Sequence, residues 1–303
     1  MAYQKIDHSN MTELHNIKTG RYRISVTSGK TENEENTNNA QLALESITSV
    51  VDEIDELLGI KKLVNKRGKS LILKRIDRMI ALYNRRDAEA GIELAALGLF
   101  GKQLRDLKTR HIQAFRSLSK DILRQSHQRS WVGIRAEVSI AACLLEVIGI
   151  GFTKRERPDF DFDYQNKKLS IEVTSTHLTT DRGTNCVYKI KAKINSKNTM
   201  PYAKNDVALA IDITNIFHHY FSDTQGQEKN FTDELDRQLT GLEIKYGALI
   251  LIIHSDNKLL NRYQMNSMTR VMSNCNSVLK SFIEEAFPKS SEVLADPVFL
   301  SES

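Results

Sequence analysis

Apolar residues recur at helical spacing through the first half of the chain, then switch to strict alternation near residue 158. Leu42, Leu44, Ile47, Val50, Val51, Ile54, Leu57 and Leu58 lie on one stripe and predict a helix over 40–60. Leu71, Leu73, Ile76, Met79, Ile80 and Tyr83 predict a second over 70–84. A third is expected over 87–98, and a longer basic one over 101–128. Residues 131–149, WVGIRAEVSIAACLLEVIG, read as a strongly apolar helix that Gly149 and Gly151 end. Later come a lysine-bearing helix over 181–200, a buried strand over 207–213, a polar loop over 215–230, and a helix over 231–241. The run YGALILII at 246–253 is the most strand-like in the chain. Helical patterns are expected over 258–271 and 274–287. Before all this, Tyr22, Ile24 and Val26 alternate as one short strand, and residues 29–39, GKTENEENTNN, read as a polar linker.

This order predicts an α/β fold: a mixed central sheet flanked by helices, preceded by an all-helical region. The expected divisions are an extension and linker over 1–39, a helical, partly basic region over 40–130, an α/β core over 131–255, and C-terminal helices and tail over 256–303.

The alternating stretch is RPDFDFDYQNKKLSIEVTST, residues 157–176. Asp159, Asp161 and Asp163 alternate with Phe160, Phe162 and Tyr164. Ile171, Val173 and Ser175 alternate with Glu172, Thr174 and Thr176. A strand has period two, so each run gathers its acids on one face. Gln165, Asn166, Lys167 and Lys168 make the turn of a hairpin that brings Asp159 close to Glu172. Convergent carboxylates on core strands are costly unless a cation or a donor sits between them. Mg²⁺ suits such a pair, because it takes carboxylate oxygens and keeps waters for chemistry; Mn²⁺ is the expected substitute.

The chain has 303 residues, a formal net charge of +5, and four prolines, which suits long helices. The charge is blockwise. Residues 32–56 hold eight acids and no Lys or Arg, while 61–86 hold ten Lys or Arg against Asp77 alone. Residues 101–130 hold eight Lys or Arg against Asp106 and Asp121. Lys74, Arg75, Arg78, Lys102, Arg105 and Lys108 are candidates for phosphate contact, or form an ordinary solvated surface. Cys143, Cys186 and Cys275 have no metal-ligand spacing, and the polar start MAYQKIDHSN lacks a signal peptide's apolar segment. A cytoplasmic protein with no membrane span is expected. Gly29-Lys30-Thr31 lacks the upstream glycine of a phosphate loop.

Pro158-Asp159 followed by Glu172-Val173-Thr174, thirteen residues from acid to acid, resembles the PD-(D/E)xK nuclease superfamily with its restriction-endonuclease-like fold. The resemblance covers about 131–255. It implies a metal-dependent endonuclease acting on DNA, first of all double-stranded, with a restriction or phage-defence role and 5′-phosphate products. Asp159 and Glu172 would be metal ligands, with the carbonyl of Val173 a further one. Glu137, on the helix before the hairpin, would add an acid, and Asp161 is the alternative ligand to Asp159. Thr174 stands where the family places lysine. Either Lys189 or Lys193 reaches back from the following helix, on which Lys189, Lys193 and Lys197 recur at i, i+4 and i+8, or the scaffold binds nucleic acid without cutting it. Thr174 would orient water through its hydroxyl. His177 is expected to turn away from the site. Cutting two strands favours a homodimer. A third reading is an interaction protein whose charge blocks pair domains or copies.

Overall fold

The computed structural model describes residues 12–16, 22–26, 49–59, 71–84, 89–124, 130–147, 149, 151–176, 186–224, 228–257 and 262–287. The linker 29–39 and His177 lie outside the described residues. Two compact units divide the chain: residues 1–134 with 256–264, and residues 135–255 with 265–303. The division falls inside a helix, four residues beyond the expected start of the α/β core at 131. The described residues 265–287 belong with the α/β unit.

In the first unit, β1 (Thr12–Asn16) and β2 (Tyr22–Val26) pair antiparallel. Only β2 carries the alternation read from the sequence. Helices α1 (49–58), α2 (Leu71–Asn84), α3 (Glu89–Arg110) and α4 (Ile112–Arg124) follow. The sequence puts a break near Phe100, but α3 runs straight through Gly98 and Gly101. Those glycines admit α1: a Cβ on either would sit 3.6 Å from Val50 Cγ2 or 3.4 Å from Ile54 Cγ1. The break comes instead at His111, whose Nδ1 accepts the Ala114 N–H at 3.4 Å and caps α4.

In the second unit, α5 (Ser130–Val147, of which 135–147 belong here) precedes a six-stranded mixed sheet in the order β3-β4-β5-β6-β7-β8. The strands are β3 (Phe152–Lys154), β4 (Phe160–Tyr164), β5 (Lys167–Ser175), β6 (Val207–Asp212), β7 (Ala248–Asn257) and β8 (Arg262–Val271), of which residues 256–257 and 262–264 are assigned to the first unit. β3, β4 and β5 pair antiparallel, whereas β5, β6 and β7 pair parallel. Parallel neighbours need crossovers, which α6 (Tyr188–Asn198), α7 (Thr214–Thr224) and α8 (Glu228–Leu239) supply. Helix α9 (Ser277–Ala286) closes the unit, with Asn276 accepting the Val278 N–H as its cap.

Period two sorts the core into two layers. Leu209, Ile211, Leu249 and Leu251 pack with Ile190 and Ile194 of α6, Phe217 of α7 and Phe231 of α8. Phe160, Phe162, Ile171, Ala208, Ala210 and Ile250 are buried on the other face, where Phe282 of α9 meets Phe162 at 4.6 Å. Strand β6 is buried along its whole length, as its unbroken apolar run requires.

Two expectations fail here. Residues 215–230 are not loop: α7 and the start of α8 occupy most of them, because Ile216 and Phe217 find the core. Residues 262–271 are strand, not helix. RYQMNSMTRV has no strong helical stripe, and the open edge of β7 offers a hydrogen-bonding ladder that no local propensity reveals.

Gly247, just before β7, is locked among backbone. Its N–H points at the Val207 carbonyl at 3.0 Å, and an added Cβ would lie 2.1 Å from the Asn205 carbonyl oxygen and 2.8 Å from Leu279 Cδ2. Gly247→Ala is expected to cost about 1–3 kcal/mol or more, because backbone has to move. A urea midpoint equal to wild type would refute this packing.

Candidate functional site

The β4–β5 hairpin closes on a two-residue turn, Gln165 and Asn166, at φ 48° and 60°. Both central residues in the left-handed region match the twist of the flanking strands, and this turn sets the register. Phe160 pairs with Ile171 and Asp161 with Ser170. One step further, Asp159 stands opposite Glu172. Both are buried, at 8% and 3% exposure.

Each carboxylate is met by a lysine. Asp159 Oδ2 accepts the Val173 N–H at 2.7 Å, and its Oδ1 accepts Lys154 Nζ at 3.0 Å. Lys154, at the end of β3, also pairs with Glu137 Oε2 of α5 at 3.1 Å. Glu172 Oε1 accepts Lys197 Nζ of α6 at 2.5 Å and the Tyr202 hydroxyl at 2.9 Å. Glu172 Oε2 is buried with no hydrogen-bond partner.

The charges act on one another. Burial raises the Glu172 pKa, and the negative charge of Asp159 raises it further; Lys197 and Tyr202 pull the other way without cancelling the rise. Burial works against the Lys154 charge, but Glu137 and Asp159 outweigh it and hold that pKa above its ordinary value. Burial and then the Glu172 carboxylate push the Tyr202 phenol up, so it stays a donor.

The other candidates sort by geometry. Asp161 shares the face of Asp159 but is committed to its own partners: Ser170 Oγ at 2.6 Å, Arg155 Nε at 2.5 Å and Lys168 Nζ at 3.4 Å. Thr174 is half-buried on the face of Glu172. Val173 reaches the site through its N–H. Among the described residues neither Lys189 nor Lys193 pairs with either acid; the third member of their row, Lys197, does so. Burial and then Lys197 lower the Lys193 pKa. The sequence pattern contained Lys197 but not the end of α6 that presents it. Lys154 and Tyr202 carried no signal, since neither stands in a motif.

The donor set fits a divalent cation in chemistry: two opposed carboxylates, one with an orphaned buried oxygen. It is a minimal set. Among the described residues no group of three or more His, Cys, Asp or Glu side chains gathers as ligands. Glu137 joins through Lys154.

A second buried cluster was not anticipated. Asp212, at the end of β6, accepts Arg135 Nη2 of α5 at 2.9 Å and the Thr214 N–H at 2.9 Å. His254 Nδ1 lies 3.4 Å from Asp212 Oδ2, and its Nε2 lies 3.1 Å from Ser139 Oγ. The chain Asp212–His254–Ser139 has the connectivity of a nucleophile relay. But Asp212 and His254 are fully buried and Ser139 is 1% exposed, so no substrate carbonyl reaches the hydroxyl. Its role is to tie α5 to the ends of β6 and β7. Both anchors were visible only as polar residues ending apolar runs.

No family model, curated protein or solved structure matches the chain. Among the described residues no helix is long and apolar enough to cross a membrane.

Burial pushes the Asp212 carboxyl up, but Arg135 and His254 outweigh it and hold it well below the usual range. Asp212→Asn leaves Arg135 without its buried counter-charge and is expected to cost about 3–5 kcal/mol in urea unfolding. Burial, aided by Arg135, lowers the His254 pKa, and burial lowers that of His218. The unfolded chain therefore binds more protons once pH drops below about 6.5. Their contribution is complete above that pH and is lost as pH falls through the lowered folded values. The urea midpoint should drop between pH 7.5 and 5, and His254→Gln should flatten the drop; a midpoint level across that range in wild type contradicts it.

Proposed function

We propose that the second unit is a divalent-metal-dependent nuclease core of the PD-(D/E)xK kind, hydrolysing phosphodiester bonds in DNA. The observation that supports it most is the register that sets Asp159 opposite Glu172, with a lysine from the next helix on Glu172. Asp159 and Glu172 would hold Mg²⁺, the free Oε2 of Glu172 being the natural first ligand and the Val173 carbonyl an additional oxygen. When bound, the ion would act as a Lewis acid and lower the pKa of a coordinated water. Lys197, rather than Lys189 or Lys193, would take the part of the lysine missing at Thr174, its ammonium beside Glu172 stabilising negative charge that develops on a phosphate. Lys154 bridges Asp159 and Glu137 and so holds both in place. Tyr202 fixes the Glu172 rotamer and remains a proton donor. Thr174, beside Glu172, can orient water through its hydroxyl.

One observation favours a second reading. Lys154 and Lys197 already supply counter-charge to the acids, and a site balanced this way needs no metal to fold. In that reading the scaffold binds nucleic acid without cutting it.

Cleavage of plasmid, linear and single-stranded DNA with Mg²⁺ or Mn²⁺ separates the two. Wild type should cut, while Asp159→Asn and Glu172→Gln should lose activity by about 100-fold or more, and Lys197→Met by about 10²–10³-fold. Lys189→Met should stay near wild type. No cutting by wild type, or cutting that survives both acid substitutions, rejects the nuclease reading. Because Glu172 keeps its proton to a higher pH than usual, a divalent ion must compete with that proton. Mg²⁺ affinity measured by calorimetry should rise with pH through that range; an affinity independent of pH would argue that Glu172 is not a ligand.

A further inference from the structure

We propose that the exposed row Arg116, Lys120 and Arg124 on α4 binds the phosphate backbone of a nucleic acid. The three lie at i, i+4 and i+8, so they share one helix face. The opposite face is spent on the unit's own core, through Ala114, Phe115, Leu118 and Ile122. All three cations are exposed. None makes an ion pair among the described residues, and neither does Asp121, the single acid on the helix.

This sets the row apart from Arg75, Arg78 and Arg105 of the same unit. Arg75 and Arg78 pair with Glu93, and Arg105 pairs with Glu53 at 2.5 Å. Those side chains, candidates for phosphate from the sequence, are occupied within the fold. Like charges at i, i+4 repel along a helix, and α4 carries two such pairs against the single acid Asp121. A polyanion relieves that repulsion. The row spans about 12 Å of helix, over which a duplex presents about seven phosphate charges. An anionic membrane suits it less well: a helix lying in lipid needs an outward apolar face, and that of α4 is turned inward, with Ile112 alone exposed at 43%.

The inference rests on α4 alone and holds whether the second unit cuts or only binds. The test is therefore a binding measurement in EDTA, where no cleavage occurs. Fluorescence anisotropy of the full chain on duplex DNA, duplex RNA and single-stranded DNA is read across a salt series. The triple substitution Arg116→Gln, Lys120→Gln, Arg124→Gln should lower the slope of log K against log salt by about 2.7 for a duplex, since each phosphate contact contributes about 0.9. Arg116→Lys with Arg124→Lys keeps the charges and should keep the wild-type slope. The arm with the largest change identifies the nucleic acid. An unchanged slope in all arms, or a slope lost in the Lys variant too, overturns the proposal. So does a triple variant that loses only binding to vesicles containing phosphatidylserine.

Discussion

A carboxylate taken out of water needs a counter-charge or donors within reach, and among its described residues the α/β unit buries four: Asp159, Asp161, Glu172 and Asp212. Each has a cation of its own, in Lys154, Arg155, Lys197 and Arg135 respectively. Those cations come from β3, the loop after it, the end of α6, and α5. The acids therefore tie the outer elements to the sheet, and the layout of the unit follows from satisfying them. Removing one partner is far costlier than the pair's net worth, because a lone charge stays behind.

That requirement explains why Lys197 meets Glu172. The far end of α6 is pinned by two hydrogen bonds: Tyr246 donates to the Lys197 carbonyl at 3.1 Å, and Asn198 Nδ2 donates to the Glu243 carbonyl at 2.7 Å. Both contacts come from the approach to β7. A helix fixed at that end presents its last lysine, not its first two, to the strand it follows. The lone unsatisfied oxygen on Glu172 then marks the place where the charge balance is unfinished, and it is also the atom best suited to a metal or a water.

The polar cluster around Asp212 shows the same physics without the opening. Every atom of its relay is packed under α5, so its connectivity serves anchoring and not chemistry. Arg135 and Ser139 stand two residues either side of Glu137 on that helix, and their bonds to Asp212 and His254 settle the height at which Glu137 meets Lys154. In the helical unit, small residues do comparable work. Gly98 and Gly101 let α1 approach α3, a role opposite to the breaks that glycine suggests in isolation.

Local pattern alone carried a good deal. The period-two run predicted β4 and β5, and the same alternation put Asp159 and Glu172 on one face; the turn is tighter than the expected tetrad, since Lys167 and Lys168 already belong to β5. The apolar run at 207–213 and the lysine spacing on 188–198 likewise predicted β6 and α6, since burial and helical period are written in neighbouring residues. Tertiary structure decided what depends on distant partners. The strand at 262–271 exists because β7 offers an edge. The helix at 214–224 exists because a core accepts Phe217. The choice of Lys197 over Lys193, the placing of Lys154 between two acids, and the pairing of Asp212 with Arg135 join residues far apart in the chain. No periodicity records such contacts, because they are selected by the electrostatic cost of burial once the layers have closed.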